Sequence, residues 1–112
     1  MKISELSDRL GLVLYGGSKG MHKEVQGGYC SDLLSDVMGH ARPDQVWITV
    51  QTHKNVIAVA SLKELAAVII VQGLQPAPEV IAHSDAENIP LLGTSESSFE
   101  IAGKIHTILR SA

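Results

Sequence analysis

The residues best suited to chemistry follow the run Val46-Trp47-Ile48-Thr49-Val50, which enters the polar tetrad Gln51-Thr52-His53-Lys54 and then Asn55-Val56-Ile57-Ala58-Val59-Ala60. The first run is rich in β-branched and aromatic residues and reads as a strand buried on both faces. The last is apolar, alanine-bearing and helical in character. A strand, a short polar loop and a helix start are the parts of an α/β ligand crevice, because ligands lie outside strand carboxyl ends where helix N-termini hold anions. Thr49, Gln51, His53 and Asn55 are therefore candidate ligand-binding residues. A second reading has Thr52 or Asn55 capping the helix and His53 in solvent. Both stand at this point.

Other polar groups are weaker candidates. Ser31, Asp32, Ser35 and Asp36 bring hydroxyls and carboxylates to the first turns of one helix, with Ser31 and Asp32 suited to capping it. Two carboxylates at i, i+4 share a face, yet without a third ligand they define no magnesium or calcium site. Thr94, in Thr94-Ser95-Glu96-Ser97, follows another strand and can border the same crevice. Gly16-Gly17-Ser18-Lys19-Gly20 offers amides and a cation for a phosphate, but it matches neither GxxxxGK[ST] nor GxGxxG and precedes a strand, so a structural turn is expected. The five histidines show no zinc spacing. Cys30 has no adjacent base and reads as a buried thiol.

The elements that must position these groups are legible from periodicity. Ile3, Leu6 and Leu10 form the apolar face of a short helix stopped at Gly11. Leu12 to Tyr15 reads as a strand and Lys23 to Gln26 as a weaker one, joined by the glycine-rich link as a hairpin-like turn or a longer loop. Leu33, Leu34, Val37 and Met38 mark a helix closed by Gly39. Ala66 to Val71 and Ile89 to Gly93 are further buried strands, separated by a helix from about Glu79 to Glu87 with Pro78 at its first position. Ser97-x-x-Glu100 is a capping box ahead of Phe99, Ala102, Ile105 and Leu109, which share one helical face. Helix and strand thus alternate from Ser31 onward, which calls for a parallel sheet. The expected fold is one α/β domain over residues 1–112: a small, mostly parallel sheet, helices on both faces in three layers, and an N-terminal β-hairpin at the edge.

Composition limits the function classes. The chain has 112 residues, 45% of them hydrophobic, which suits one globular domain rather than a disordered chain. A net charge of -3 with no run of Lys or Arg argues against nucleic acid or an anionic membrane as partner. A single cysteine leaves no internal disulfide and points to a reducing cytoplasm. Neither a signal peptide nor a membrane span is readable.

Gly28-Tyr29-Cys30-Ser31-Asp32-Leu33-Leu34-Ser35-Asp36-Val37-Met38, followed by Trp47-Ile48-Thr49 and Asn55-Val56-Ile57-Ala58-Val59-Ala60, resembles a DRTGG domain over essentially the whole chain. The resemblance implies a fold similar to the N-terminal domain of HPr kinase/phosphorylase, and a regulatory or ligand-sensing role. Relatives of this kind occur alone, within phosphotransacetylases, and beside CBS domains in regulated pyrophosphatases. Stand-alone members are often associated with hydrogenase and redox gene clusters. Asp32 matches a motif position of the family. Where a Gly-Gly pair is typical after the second buried strand, this chain has Gln72-Gly73 following Val71, and it carries no kinase loop.

The expected function is a non-catalytic regulatory module, homodimeric, that binds a small ligand or a partner protein, with an adenine nucleotide as the candidate and no cofactor or metal. Its candidate site is Asp32, Ser35, Thr49, Gln51, His53, Asn55 and Thr94. A phosphate- or acyl-transfer enzyme and a structural adaptor in a redox complex are the rival readings. No nucleophile, base and oxyanion set can be assembled from the motifs, which weighs against the enzyme.

Overall fold

Strands that are apolar on both faces need cover from both sides, and this chain supplies it with helices in two layers. The computed structural model describes residues 1–111. In chain order the elements are α1 (Ile3–Leu10), β1 (Val13–Gly16), a 3-10 turn (Ser18–Gly20), β2 (Gly27–Cys30), α2 (Leu34–His40), β3 (Gln45–Thr49), α3 (Val56–Leu62), β4 (Ala67–Ile70), α4 (Pro78–Glu87), β5 (Leu91–Gly93) and α5 (Ser98–Arg110). The sheet order is β1-β5-β4-β3-β2, parallel throughout except for β1, which runs antiparallel to β5. The mostly parallel α/β sheet expected from the alternation is therefore present.

Side chains alternate across the sheet as strand geometry requires. Val46, Ile48, Ala67, Ile69 and Leu92 pack with Ile3 and Leu6 of α1 and Ile101 and Ile105 of α5. Trp47, Val68, Ile70 and Leu91 pack on the other side with Val37 of α2, Ile57 of α3 and Val80 of α4. Trp47 is fully buried, and its indole N–H donates to the Ser31 carbonyl at 2.8 Å, which satisfies its one polar atom.

The N-terminal hairpin does not form. β1 and β2 occupy opposite edges of the sheet. The stretch expected as the second hairpin strand instead runs beside the start of the chain: the Ile3 amide donates to the Lys23 carbonyl, and the Val25 amide to that of Met1, both at 2.9 Å. Edge identity depends on tertiary pairing, which alternation in one segment does not encode. The strand that follows, Gly27-Gly28-Tyr29-Cys30, contains two glycines and reads poorly as a strand from propensity alone.

Smaller expectations also shift. α2 begins at Leu34 without a side-chain cap and closes at His40 rather than Gly39. Pro78 opens α4 as expected, and Ser97 Oγ accepts from the Glu100 amide at 3.2 Å to cap α5. Phe99, assigned to the buried stripe of that helix, is instead 85% exposed. No helix among the described residues is long and apolar enough to cross a membrane.

The Gly16–Gly20 loop is a clamp. The Gly17 amide donates to Asp85 Oδ1 of α4 at 2.7 Å, and a Cβ on Gly17, at φ 74, would collide with the Ile89 carbonyl. Gly17→Ala should therefore lose about 2–4 kcal/mol in urea denaturation, from left-handed backbone strain and overpacking. Gly39→Ala, where a Cβ meets nothing within 4 Å, should be neutral or gain up to about 1 kcal/mol.

Candidate functional site

All four parallel strands deliver their following loops to one edge of the sheet, and backbone bonds continue between those loops beyond the strand ends. The Ser31 amide donates to the Ile48 carbonyl at 3.3 Å, Val71 to Thr49 at 3.0 Å and Thr94 to Ile70 at 3.0 Å. Gln72 and Gly73 then donate to Glu96 and Thr94 at 2.8 and 2.9 Å. The loops after β4 and β5 are thus stitched into one rim.

Asp32 organises the other half of this rim. Its Oδ1 accepts from Thr49 Oγ1 and from the Val50 amide, each at 2.9 Å, and its backbone carbonyl accepts from Gln51 Nε2 at 3.0 Å. Thr49 is fully buried, and its hydroxyl also accepts from the Gln51 amide at 3.0 Å. The Thr49 oxygen is engaged as both donor and acceptor, so it holds the loop from within. Asp32, expected as a helix cap, instead ties the loop after β2 to the loop after β3. Ser31 Oγ accepts from the Leu33 amide at 3.2 Å as a local turn.

His53 and Asn55 are exposed, and the Asn55 amide donates to His53 Nδ1 at 3.0 Å. With Nδ1 accepting, a neutral His53 carries its proton on Nε2, which leaves an outward donor. Lys54, also exposed and absent from the sequence-based set, adds a cation beside it. Asp32, Thr49 and Gln51 are therefore joined in one network, with His53 and Asn55 on the same loop. Thr94 lies across β4 on the rim, where its hydroxyl accepts from the Glu96 amide at 3.2 Å. Ser35 sits in the exposed first turn of α2 and shares no hydrogen bond with this network.

A second cluster centres on Asp36. Tyr29 Oη donates to Asp36 Oδ2 at 2.8 Å, and His40 Nδ1 lies 3.1 Å from Asp36 Oδ1. The Tyr29 hydroxyl, followed by that of Ser31 and then His40, holds the Asp36 carboxyl below its ordinary range, while the same bond raises the Tyr29 phenol. The i, i+4 spacing of Asp36 and His40 was a usable signal; the Tyr29 contact across a turn had none. Cys30, expected buried, is exposed, and its thiol is pushed up by partial desolvation and then by the Asp32 carboxylate. A raised thiol is a poor nucleophile near neutral pH. No three His, Cys, Asp or Glu among the described residues converge as a metal site.

Two predictions follow from these contacts. Asp32→Ala leaves the buried Thr49 hydroxyl and the Val50 amide without their acceptor, so it should cost about 1–3 kcal/mol and speed amide exchange or proteolysis across residues 50–54. Asp36 has a lowered folded-state pKa, so its contribution is present above the ordinary carboxylate range and is lost as pH falls through that lowered value. Asp36→Asn should flatten the acid limb of Tm against pH, and an unchanged limb would reject this assignment.

Comparison with known proteins bears on the fold and the family. No curated protein sequence matches. Among solved structures, the crystal structure of the CBS and DRTGG domains of the regulatory region of Clostridium perfringens pyrophosphatase, complexed with the activator diadenosine tetraphosphate, is similar with a TM-score of 0.73 at 13% identity. The match covers 91% of this chain and 44% of that one, so this chain spans less than half of its structural neighbour. Gln72 and Gly73 have φ of 62 and 70, so both positions of the expected Gly-Gly pair are left-handed even with glutamine at the first. The DRTGG domain model matches residues 7–108, and this chain belongs to the DRTGG domain family.

Proposed function

We propose that this domain is a non-catalytic regulatory module that binds an adenine nucleotide at the carboxyl ends of its parallel strands and acts as a homodimer. The observation that carries the reading is the Asp32 tether. One carboxylate oxygen and one carbonyl hold Val50, Thr49 and Gln51 in place. The loop beyond them then presents Gln51 Oε1, His53 Nε2 and Lys54 from a fixed base. Binding groups held by their own supporting bonds lose less entropy on capture. An imidazole N–H donor and an ammonium suit a phosphate, while Gln51 and Asn55 suit the edge of a base or ribose.

In this reading Asp32 and Thr49 position the loop, Gln51, His53 and Asn55 touch the ligand, and Thr94 and Ser35 border it. The similar regulatory region was crystallised with an adenine nucleotide, which is why that class is tested first. A link to hydrogenase or redox metabolism rests on the family resemblance, and an exposed thiol at Cys30 suits a reducing cytoplasm. The raised Cys30 thiol argues against that cysteine as the nucleophile of a phosphate- or acyl-transfer reaction, and the enzyme reading is otherwise a rival. A structural adaptor is the other rival.

Thermal-shift titration with ATP, ADP and diadenosine tetraphosphate tests the proposal. A nucleotide at about a hundred times its Kd should stabilise by roughly 2.7 kcal/mol, a rise of several degrees. Gln51→Ala combined with His53→Ala should weaken that Kd at least about tenfold, the loss of roughly 1.4 kcal/mol of contacts. No shift with any of the three would reject nucleotide sensing and favour the adaptor.

A further inference from the structure

We propose that the outward face of α5 is where two copies of this chain pair, with their α5 helices antiparallel about a two-fold axis at Gly103. Phe99 of each copy sits in the other's groove between α5 and β2. This rests on the homodimer proposed above and is independent of the ligand.

Three observations converge. The first is Phe99, the chain's one phenylalanine, which stands 85% exposed at the start of α5. Phe99, Gly103, His106 and Arg110 fall at i, i+4, i+7 and i+11 and so form one stripe. Gly103 weakens a helix interior, and a Cβ there would meet nothing within 4 Å. Packing within the chain does not require that glycine; close approach from outside would use it.

The second is a groove of about 490 Å³ beside this stripe, lined by Gly28, Ile48, Ala102, Ile105, Leu109 and Arg110. Its walls are chiefly apolar, and Arg110 stands at its rim where a guanidinium can rest on an aromatic face. Helix rise sets the fit. Phe99 lies about 6 Å along the axis from Gly103, so an antiparallel partner's Phe99 stands about 6 Å on the opposite side, level with Thr107 and between His106 and Arg110. That is the mouth of the groove.

The third is charge. Along α5 and its approach the N-terminal half carries Glu96 and Glu100, and the C-terminal half Lys104 and Arg110. Antiparallel pairing about Gly103 sets Glu96 level with the partner's Arg110 and Glu100 within about 3 Å, in axial height, of the partner's Lys104. Parallel pairing would set like charges level with like. Lys104 already holds Glu96 at 2.6 Å, so pairing extends an existing ion pair into a network. The outer edge of β1 also exposes Val13 and Leu14, at 53% and 43%.

Light scattering with size exclusion at roughly tens of micromolar should give a dimer mass for the wild type. Phe99→Asp should raise the dimer Kd at least about tenfold, as expected for an aromatic anchor. Lys104→Glu should weaken pairing, and adding Glu100→Lys to it should restore pairing, because the reversed charges again meet across the axis. In a Cys30→Ser background, Gly103→Cys should form a disulfide-linked dimer under mild oxidation, since residues on a two-fold axis come within disulfide reach, whereas Ala86→Cys should not. A monomeric wild type would overturn the pairing and this surface together. A dimer that Phe99→Asp leaves unchanged and Gly103→Cys fails to cross-link would overturn this surface alone and turn attention to β1.

Discussion

Burial of β3 and β4 on both faces decides where polar chemistry can reside in this molecule. Residues 65–71 are buried without a break, and Val46 to Thr49 likewise, so neither face of the central sheet has room for an unpaired polar group. Function is pushed to the strand ends and the edges. At the strand ends the backbone ladder runs on for one more bond between each pair of neighbouring parallel strands, and the loops after β4 and β5 stay bonded beyond it, which makes the rim a continuation of the core rather than a set of independent loops. Thr49 sits at that transition: it is buried like a core residue and hydrogen-bonded like a loop residue.

The same constraint explains why two short segments rich in polar or small residues have different roles. Asp32 can bridge two loops because β2 and β3 are adjacent and parallel, which brings residues 17 apart in sequence to the same level. Gly17 meets Asp85 because β1 lies beside β5, close to α4. In both places a carboxylate fills an amide site that could otherwise hold an exogenous anion. The glycine loop is therefore occupied by the protein's own charge, and the loop after β3 keeps its outward groups free. The two loops differ not in that contact but in the exposed His53, Lys54 and Asn55 that follow it after β3.

Much of this was legible in the chain itself. The buried strands, Pro78 at the start of α4, the cap at Ser97 and the loop after Thr49 follow from periodicity and terminal chemistry, which act over a few residues. The missed features all depend on pairing between distant segments. Lys23 to Gln26 reads as a weak strand, yet its partner is the chain start rather than β1. Gly27-Gly28 opens a strand because an edge next to β3 was available, against local propensity. Asp32 looks like a cap by position, and only the adjacency of β2 and β3 redirects its carboxylate. Phe99 fits the helical stripe on paper, but α5, on its path from the rim to β2, buries the face carrying Ile101 and Ile105 and turns Phe99 outward.

That path gives α5 its central place in the molecule. The helix leaves the rim at Ser97, immediately after the Thr94–Glu96 segment that is bonded to the loop after β4, and its last turn lies beside β2. One rigid element thus touches both the proposed ligand rim and the proposed pairing face. Any ligand whose bound pose alters the Thr94–Glu96 segment acts on the N-terminal end of α5, where Phe99 and Glu100 project. If its affinity differs between monomer and dimer, linkage requires pairing to change by the same factor, in the same direction. A ligand indifferent to that segment would leave pairing untouched however tightly it bound. On the proposed site, coupling to pairing would depend less on ligand affinity than on whether the bound group reaches across β4 from Gln51 to Thr94.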